Sequence, residues 1–242
     1  MAGRQDMVIW MRPEQAAVGR PAERSRAEIT AAAVALADRE GLAAVSMRRV
    51  AAELGTGAAS LYRYVATRDD LLDLMTDSTA AEYDLPEPTG DWLADLVGVG
   101  RQARRIMRRH PWLPALVTAR PVLGPNGVDV LEHVLGVLAA QPADAAAKLE
   151  AFALMNAFTA VFVQHELGGG EPAARHHAAY LRQVAAAGGH PRLAAALTEA
   201  ATPVGGPADH IETDRYEADH HETDRYEAAL ARVLGGLLAP PR

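Results

Sequence analysis

From Ser25 the chain spaces its apolar residues with the 3.6-residue period of a helix. Ile29, Ala33, Leu36 and Ala37 fall on one face, and Gly41 after Glu40 supplies a stop. Ser46 suits the cap of a short helix, Met47 to Leu54, that turns Val50, Ala51 and Leu54 inward. Gly55 permits a tight turn, and a third helix follows from about Ala58 to Tyr64 with Leu61 as its anchor. Thr67 and Asp70 form a capping-box start for a fourth helix, about Arg68 to Tyr83, with Leu71, Leu72 and Met75 apolar. A long helix followed by two short ones around a glycine turn is the layout of a helix-turn-helix.

Leu85-Pro86-Glu87-Pro88-Thr89-Gly90 stops this pattern and restarts it. Helices are expected near 91–109, 112–117, 125–140, 143–167 and 172–187, with prolines and glycines between them. The 143–167 segment is apolar nearly all round, as a central helix would be. Pro203 to Pro207 reads as loop, and a last helix runs from about Asp214 to Leu238. Residues 1–24 show no sustained period and contain Gly19 and Pro21, so a flexible arm is expected there. Trp10 within it either tucks against the body or stays exposed. The expected organisation is a flexible arm (1–24), a helix-turn-helix domain (25–72) and a helical body (73–242). ETDRYEA occurs at Glu212 to Ala218 and again at Glu222 to Ala228, which reads as a tandem duplication lengthening a loop or helix end.

Composition agrees with an all-α fold. Hydrophobic residues make up 49% and aromatics 5% of 242 residues, with alanine dominant and β-branched runs scarce. The absence of cysteine excludes disulfides and thiolate metal sites. No apolar run close to about 20 residues and no signal peptide stand out, so the expectation is a cytoplasmic protein with no membrane partner. The net charge of −7 is unevenly spread. Residues 1–68 hold ten Arg against seven Asp or Glu, and the remainder fourteen Lys or Arg against twenty-four acids. A modestly basic head on an acidic body directs a polyanion to the head.

Residues 46–72, SMRRVAAELGTGAASLYRYVATRDDLL, resemble the helix-turn-helix of the tetracycline-repressor (TetR) family, most specifically in LYRYV followed by TRDDLL. HPWLPALVTARPVLGPN, from His110 to Asn126, is similar to the C-terminal domain of the subgroup nearest the tetracycline repressor. The resemblance implies a homodimeric regulator that binds double-stranded operator DNA and responds to a small-molecule effector. In such motifs the second short helix enters the major groove. Thr56 is expected to cap that helix, and Gly57, Ala58 and Ala59 are small enough for close backbone approach. Ser60 and Arg63 can reach base edges, Arg63 as a bidentate reader of guanine. Tyr62, Tyr64 and Arg68 match family positions that contact phosphate or sugar, and Ser46 and Arg48 can clamp the backbone. Either tyrosine could instead be a half-buried core aromatic.

By the same resemblance, the 143–167 and 214–238 helices form the dimer. Leu230, Val233, Leu234, Leu237 and Leu238 are the candidate interface stripe, with packing inside one subunit the open alternative. Trp112, Leu116, Arg120, Phe152, Met155, Asn156, Thr159, Phe162 and His165 are candidate effector-pocket residues, with core packing the alternative for each Phe or Met. Thr118 to Pro121 resembles the repressor's ligand loop. The position of its metal-binding histidine falls at Leu116, so a magnesium–tetracycline effector is not expected. No cofactor and no metal site are expected, since no histidines stand at an i, i+4 spacing. A helical enzyme, or a partner-binding protein with a helix-turn-helix-like head, is the rival reading. The chain lacks a phosphate loop and a nucleophile elbow that would favour the enzyme.

Overall fold

The structure, a computed structural model, describes residues 8–14, 24–168, 172–200 and 211–238. Among the described residues there are eleven α-helices and no strand, as the all-α expectation has it. The chain groups into two compact units, Met1–Val163 with Glu227–Arg242, and Gln164–Tyr226.

In the first unit α1 (Arg26–Glu40) opens on a Ser25/Glu28 capping box and ends at Gly41, whose φ of 80° suits glycine. Ser46 Oγ accepts from Arg49 N to start α2 (Met47–Glu53). Gly55, at φ 65°, makes the turn into α3 (Ala58–Leu61). That helix is shorter than its sequence predicts. After Leu61 the backbone tightens into turns, with Tyr64 N donating to Leu61 O at 2.9 Å, and the Tyr64 side chain folds into the core. Thr67 and Asp70 form the expected capping box of α4 (Arg68–Ala80), which ends short of Tyr83.

Ile29, Leu36, Val50, Leu61, Val65, Leu71 and Met75 form the centre of the head. The same cluster continues into Ile106 and Met107 of α5 (Trp92–Arg109), Leu113 and Leu116 of α6 (Leu113–Ala119), and Ala160 and Val163 of α8 (Ala145–Gly168). Each large side chain so buried contributes about 1.5–3 kcal/mol. Apolar packing therefore runs without a break across residue 72.

Part of the N-terminal segment is ordered, contrary to the expectation of a flexible arm. Residues 9–11 form a 3-10 turn with Ile9 buried. Arg12 pairs with Asp70 through two 2.9 Å hydrogen bonds. Arg26 donates to the carbonyls of Ile9, Arg12 and Tyr64. Trp10 lies against Gly124, the N-cap of α7 (Pro125–Val137), where a Cβ would overlap both the indole and Asp77. Residues 1–7 and 15–23 of that arm lie outside the described residues. Gly124→Ala is expected to displace Trp10 or α7 at a cost of about 1–3 kcal/mol. A urea midpoint equal to that of the wild type would contradict this packing.

In the second unit α9 (Pro172–Ala186) packs on α10 (Pro191–Ala200). No helix is expected over α10 from the sequence, although Pro191 at a first helical position ahead of Leu193 to Leu197 is a start signal. The last helix, α11 (Ile211–Leu238), begins three residues before Asp214 and contains both ETDRYEA copies.

Two expectations about the long helices need correction. Leu230, Leu234 and Leu238 are buried inside the subunit, while Val233 is 38% exposed and Leu237 half-buried. Their four-residue spacing serves the subunit's own core, and Glu227 one turn earlier pairs with Arg101 of α5. Meanwhile α8 is long and apolar enough, by length and composition, to cross a membrane. Only 28% of that apolar stretch is buried, with Ala151, Met155, Thr159, Ala160 and Val163 the buried residues of the helix, so it is not the all-round buried central helix its sequence suggests.

Candidate DNA-binding head and ligand cavity

On the head the exposed candidates are Arg48, Gly57, Tyr62, Arg63 and Arg68, with Tyr62 52% exposed. Ser60 is half-buried, and its Oγ accepts from Arg63 Nη2 at 3.2 Å, which holds the guanidinium over α3. Neighbouring arginines are neutralised, Arg39 by Glu53 and Arg49 by Glu40. Arg48 and Arg63 have no carboxylate partner among the described residues, so their charge is available to a polyanion.

Four of the candidates have other local roles. Thr56 does not cap α3. The N-cap is Gly57, with extended backbone and no side-chain cap, and Ala58 is the first helical residue. Ser46 spends its hydroxyl capping α2. Tyr64 is only 5% exposed, and its carbonyl accepts from Arg26 Nε at 3.0 Å. Arg68 donates through Nε to Val45 O at 3.0 Å, fixing the start of α4 to the loop before α2.

A cavity of about 540 Å³ opens beside α4, lined by the last turns of that helix, by α5 to α8 and by the loop after α6. Its walls are mainly apolar, with Ile106, Met107, Val130, Leu131 and Phe152 prominent. Of the nine sequence candidates, Arg120, Phe152 and Asn156 line it. Trp112 is buried elsewhere, its indole N–H donating to Asp38 Oδ1 at 2.6 Å. Leu116 and Met155 are core residues. Thr159 is buried with its hydroxyl donating to Met155 O at 2.7 Å, and Phe162 lies beneath the Arg104 guanidinium. His165 belongs to the second unit.

Arg120 ends α6 and reaches back to α4, with Nη1 3.0 Å from Asp69 and Nη2 3.0 Å from Asp73. The hydrogen bond to Asp73 is the main reason its pKa stands above the ordinary arginine value, against the opposing effect of desolvation. A second polar junction joins the head to α5. His110 places Nδ1 2.7 Å from Asp38 of α1 and Nε2 2.8 Å from Glu82 after α4.

Comparison with known proteins bears on what this arrangement is. Residues 29–75 match the bacterial regulatory proteins of the tetR family, and residues 85–240 match the tetracyclin repressor-like C-terminal domain. The chain belongs to the TetR family. Among its relatives is the HTH-type transcriptional repressor DrrR1 of Streptomyces coeruleorubidus, 48% identical over 46% of this chain and 42% of that protein. An HTH-type transcriptional regulator of Saccharopolyspora erythraea is 40% identical over 54% of this chain and 56% of its own length. The chain thus spans about half the length of the curated relatives it matches. Apo ActR from Streptomyces coelicolor superposes with a TM-score of 0.73 at 28% identity, covering 89% of this chain and 97% of ActR. ActR in complex with actinorhodin gives 0.68 at 29%, covering 90% and 96%.

Several residues of this TetR-family chain that set the geometry were not singled out from the sequence. Arg12, Arg26, Asp38, Asp69, Asp73 and His110 act across sequence separations of up to 74 residues. Nothing in local spacing marks such pairs. Their one visible signal is negative, since an ordinary helix surface would carry the same charges.

Proposed function

We propose that the protein is a ligand-responsive transcriptional regulator, a repressor that binds a palindromic operator as a homodimer and is released by a small molecule in the cavity. One observation carries this reading: α4 is a single uninterrupted helix serving both sites. Leu71 and Leu72 of its first turn lie in the head core, and Thr76, Asp77, Thr79 and Ala80 line the cavity. A ligand that shifts α4 changes the setting of the heads, and coupling of this kind is typically worth about 1–3 kcal/mol. Residues 1–24 are the N-terminal arm, 25–72 the DNA head and 73–242 the effector and dimer region. The relatives' names as repressor and regulator, and ActR's complex with actinorhodin, support a regulator rather than an enzyme. Binding to operator DNA implies residence in the cytoplasm.

The dimer surface we assign to the uncovered side of α8, with Leu154 and Val161 exposed at 39% and 46%, and to Val233 of α11. A helix that buries one side in its own subunit and leaves large apolar groups on another is built for a partner. Paired heads would reach successive major grooves about 34–36 Å apart. Arg63 is the base reader, with Arg48 and Tyr62 on the backbone. Arg63→Ala is therefore expected to change the sequences retained from a random duplex pool more than it lowers affinity for random DNA. An equal loss on every sequence would make Arg63 a phosphate contact instead.

A further inference from the structure

The polar groups lining the cavity are largely consumed by the protein itself. Thr79 donates its hydroxyl to Thr76 O at 2.8 Å, and Thr118 donates to Pro114 O at 3.0 Å. Asp77 Oδ1 accepts from Gly127 N at 2.9 Å, and Asn126 donates to its other oxygen. The charge of Arg120 is taken up by Asp69 and Asp73, and its remaining donor, Nε, is buried without a partner. Asn156 differs. Its Nδ2 donates one N–H to Phe152 O at 2.9 Å, which turns Oδ1 away from that carbonyl. Among the described residues none donates to Asn156 Oδ1.

We propose that Asn156 is a specificity-determining residue of the cavity, and that the ligand is an uncharged, mainly apolar molecule carrying a hydroxyl or N–H donor for Oδ1. This rests on the reading of the cavity as the effector site and adds the chemical class it accepts. Charge decides against an anion. Asp69, Asp73 and Asp77 recur every four residues and so share one side of α4, facing a single arginine already paired with two of them. An anion brought to Arg120 meets more negative charge than positive. A cation gains little, because each carboxylate already accepts hydrogen bonds or an ion pair. What is left to select a ligand is apolar shape plus a few uncommitted polar groups, Asn156 Oδ1 and the Thr76 hydroxyl among them, in low-dielectric surroundings, where a matched hydrogen bond counts for more than in water.

The test uses the full-length protein and three probes of one ring system: fluorene, 9-fluorenol and fluorene-9-carboxylate. Calorimetry on the wild type is expected to show 9-fluorenol bound about fivefold more tightly than fluorene, the ratio of one ordinary hydrogen bond. The carboxylate is expected to bind more weakly than 9-fluorenol. Asn156→Leu and Asn156→Ala should keep fluorene binding, which reports an intact cavity, and lose the preference for the hydroxyl. Tightest binding of the carboxylate would make Arg120 an anion seat and overturn the proposal. So would a hydroxyl preference that survives both substitutions. Equal binding of all three probes by the wild type would sink this inference alone. Failure of every probe to bind would remove the cavity as the effector site, and this inference with it.

Discussion

Leu234→Asp is expected to unfold the subunit. Leu234 is fully buried on α11, one turn from Leu230 and Leu238, which are also buried. The substitution removes an apolar side chain and places a carboxylate where the residue has no exposed surface. Unpaired buried charge and a core cavity together belong to the class that costs more than about 4–5 kcal/mol. That is comparable with the whole stability of a domain. Val233→Asp, one residue away but exposed, should preserve the helical circular-dichroism signal and instead shift the protein from dimer to monomer on sizing. A folded, monomeric Leu234→Asp variant would show that the stripe faces a partner after all. An unchanged dimer in Val233→Asp would remove Val233 from the interface.

The second large effect is expected at Asp70. Its carboxylate accepts from Thr67 N at 3.0 Å, closing the capping box of α4, and receives both terminal nitrogens of Arg12 at 2.9 Å. The side chains of Arg12 and Asp70 are 14% and 8% exposed, so this pair is well shielded from water. Asp70→Ala leaves a guanidinium in that position without its carboxylate, and breaking a buried pair from one side costs about 3–5 kcal/mol. Arg39→Ala is the control. It breaks an exposed pair with Glu53, and such pairs are worth about 0–1 kcal/mol. Denaturant titration of the two variants checks the contrast. Similar losses in both would mean that the arm does not hold α4 as described.

Asp70 also shows where the sequence was legible and where it was not. The capping box at Thr67, the cap at Ser46 and the glycine turns at Gly41 and Gly55 are local, and their physics lies within four residues. They set the head's helix starts and stops without reference to the rest of the chain. The Arg12 partner of Asp70 lies 58 residues away, and no spacing rule reaches it. Tyr62 and Tyr64 present the same difficulty within one motif. Both fit a DNA-facing aromatic by resemblance, yet the backbone tightens after Leu61 and sends Tyr64 inward while Tyr62 stays out.

The cavity and the interface depend more heavily on tertiary packing. An apolar position on a helix has to face something, but periodicity does not say whether that is a ligand, a partner or the chain's own core. Leu230 and Leu234 answer to the subunit, and Met155 answers to the core rather than the cavity. Arg120 and Asn156, two polar residues in apolar surroundings, were the pocket candidates with a physical argument behind them, and both line the cavity. Arg120 nevertheless does something the sequence did not show, because it ties α6 to α4.

The most direct measurement is selection of duplex DNA from a random pool by the full-length protein, followed by a salt titration of the retained sequence beside an Arg48→Ala/Arg63→Ala control. The account predicts a palindromic sequence with half-sites about one helical turn apart, bound with an affinity that falls steeply as salt rises and is lost in the control. A folded, dimeric protein that enriches no sequence at low salt would contradict it.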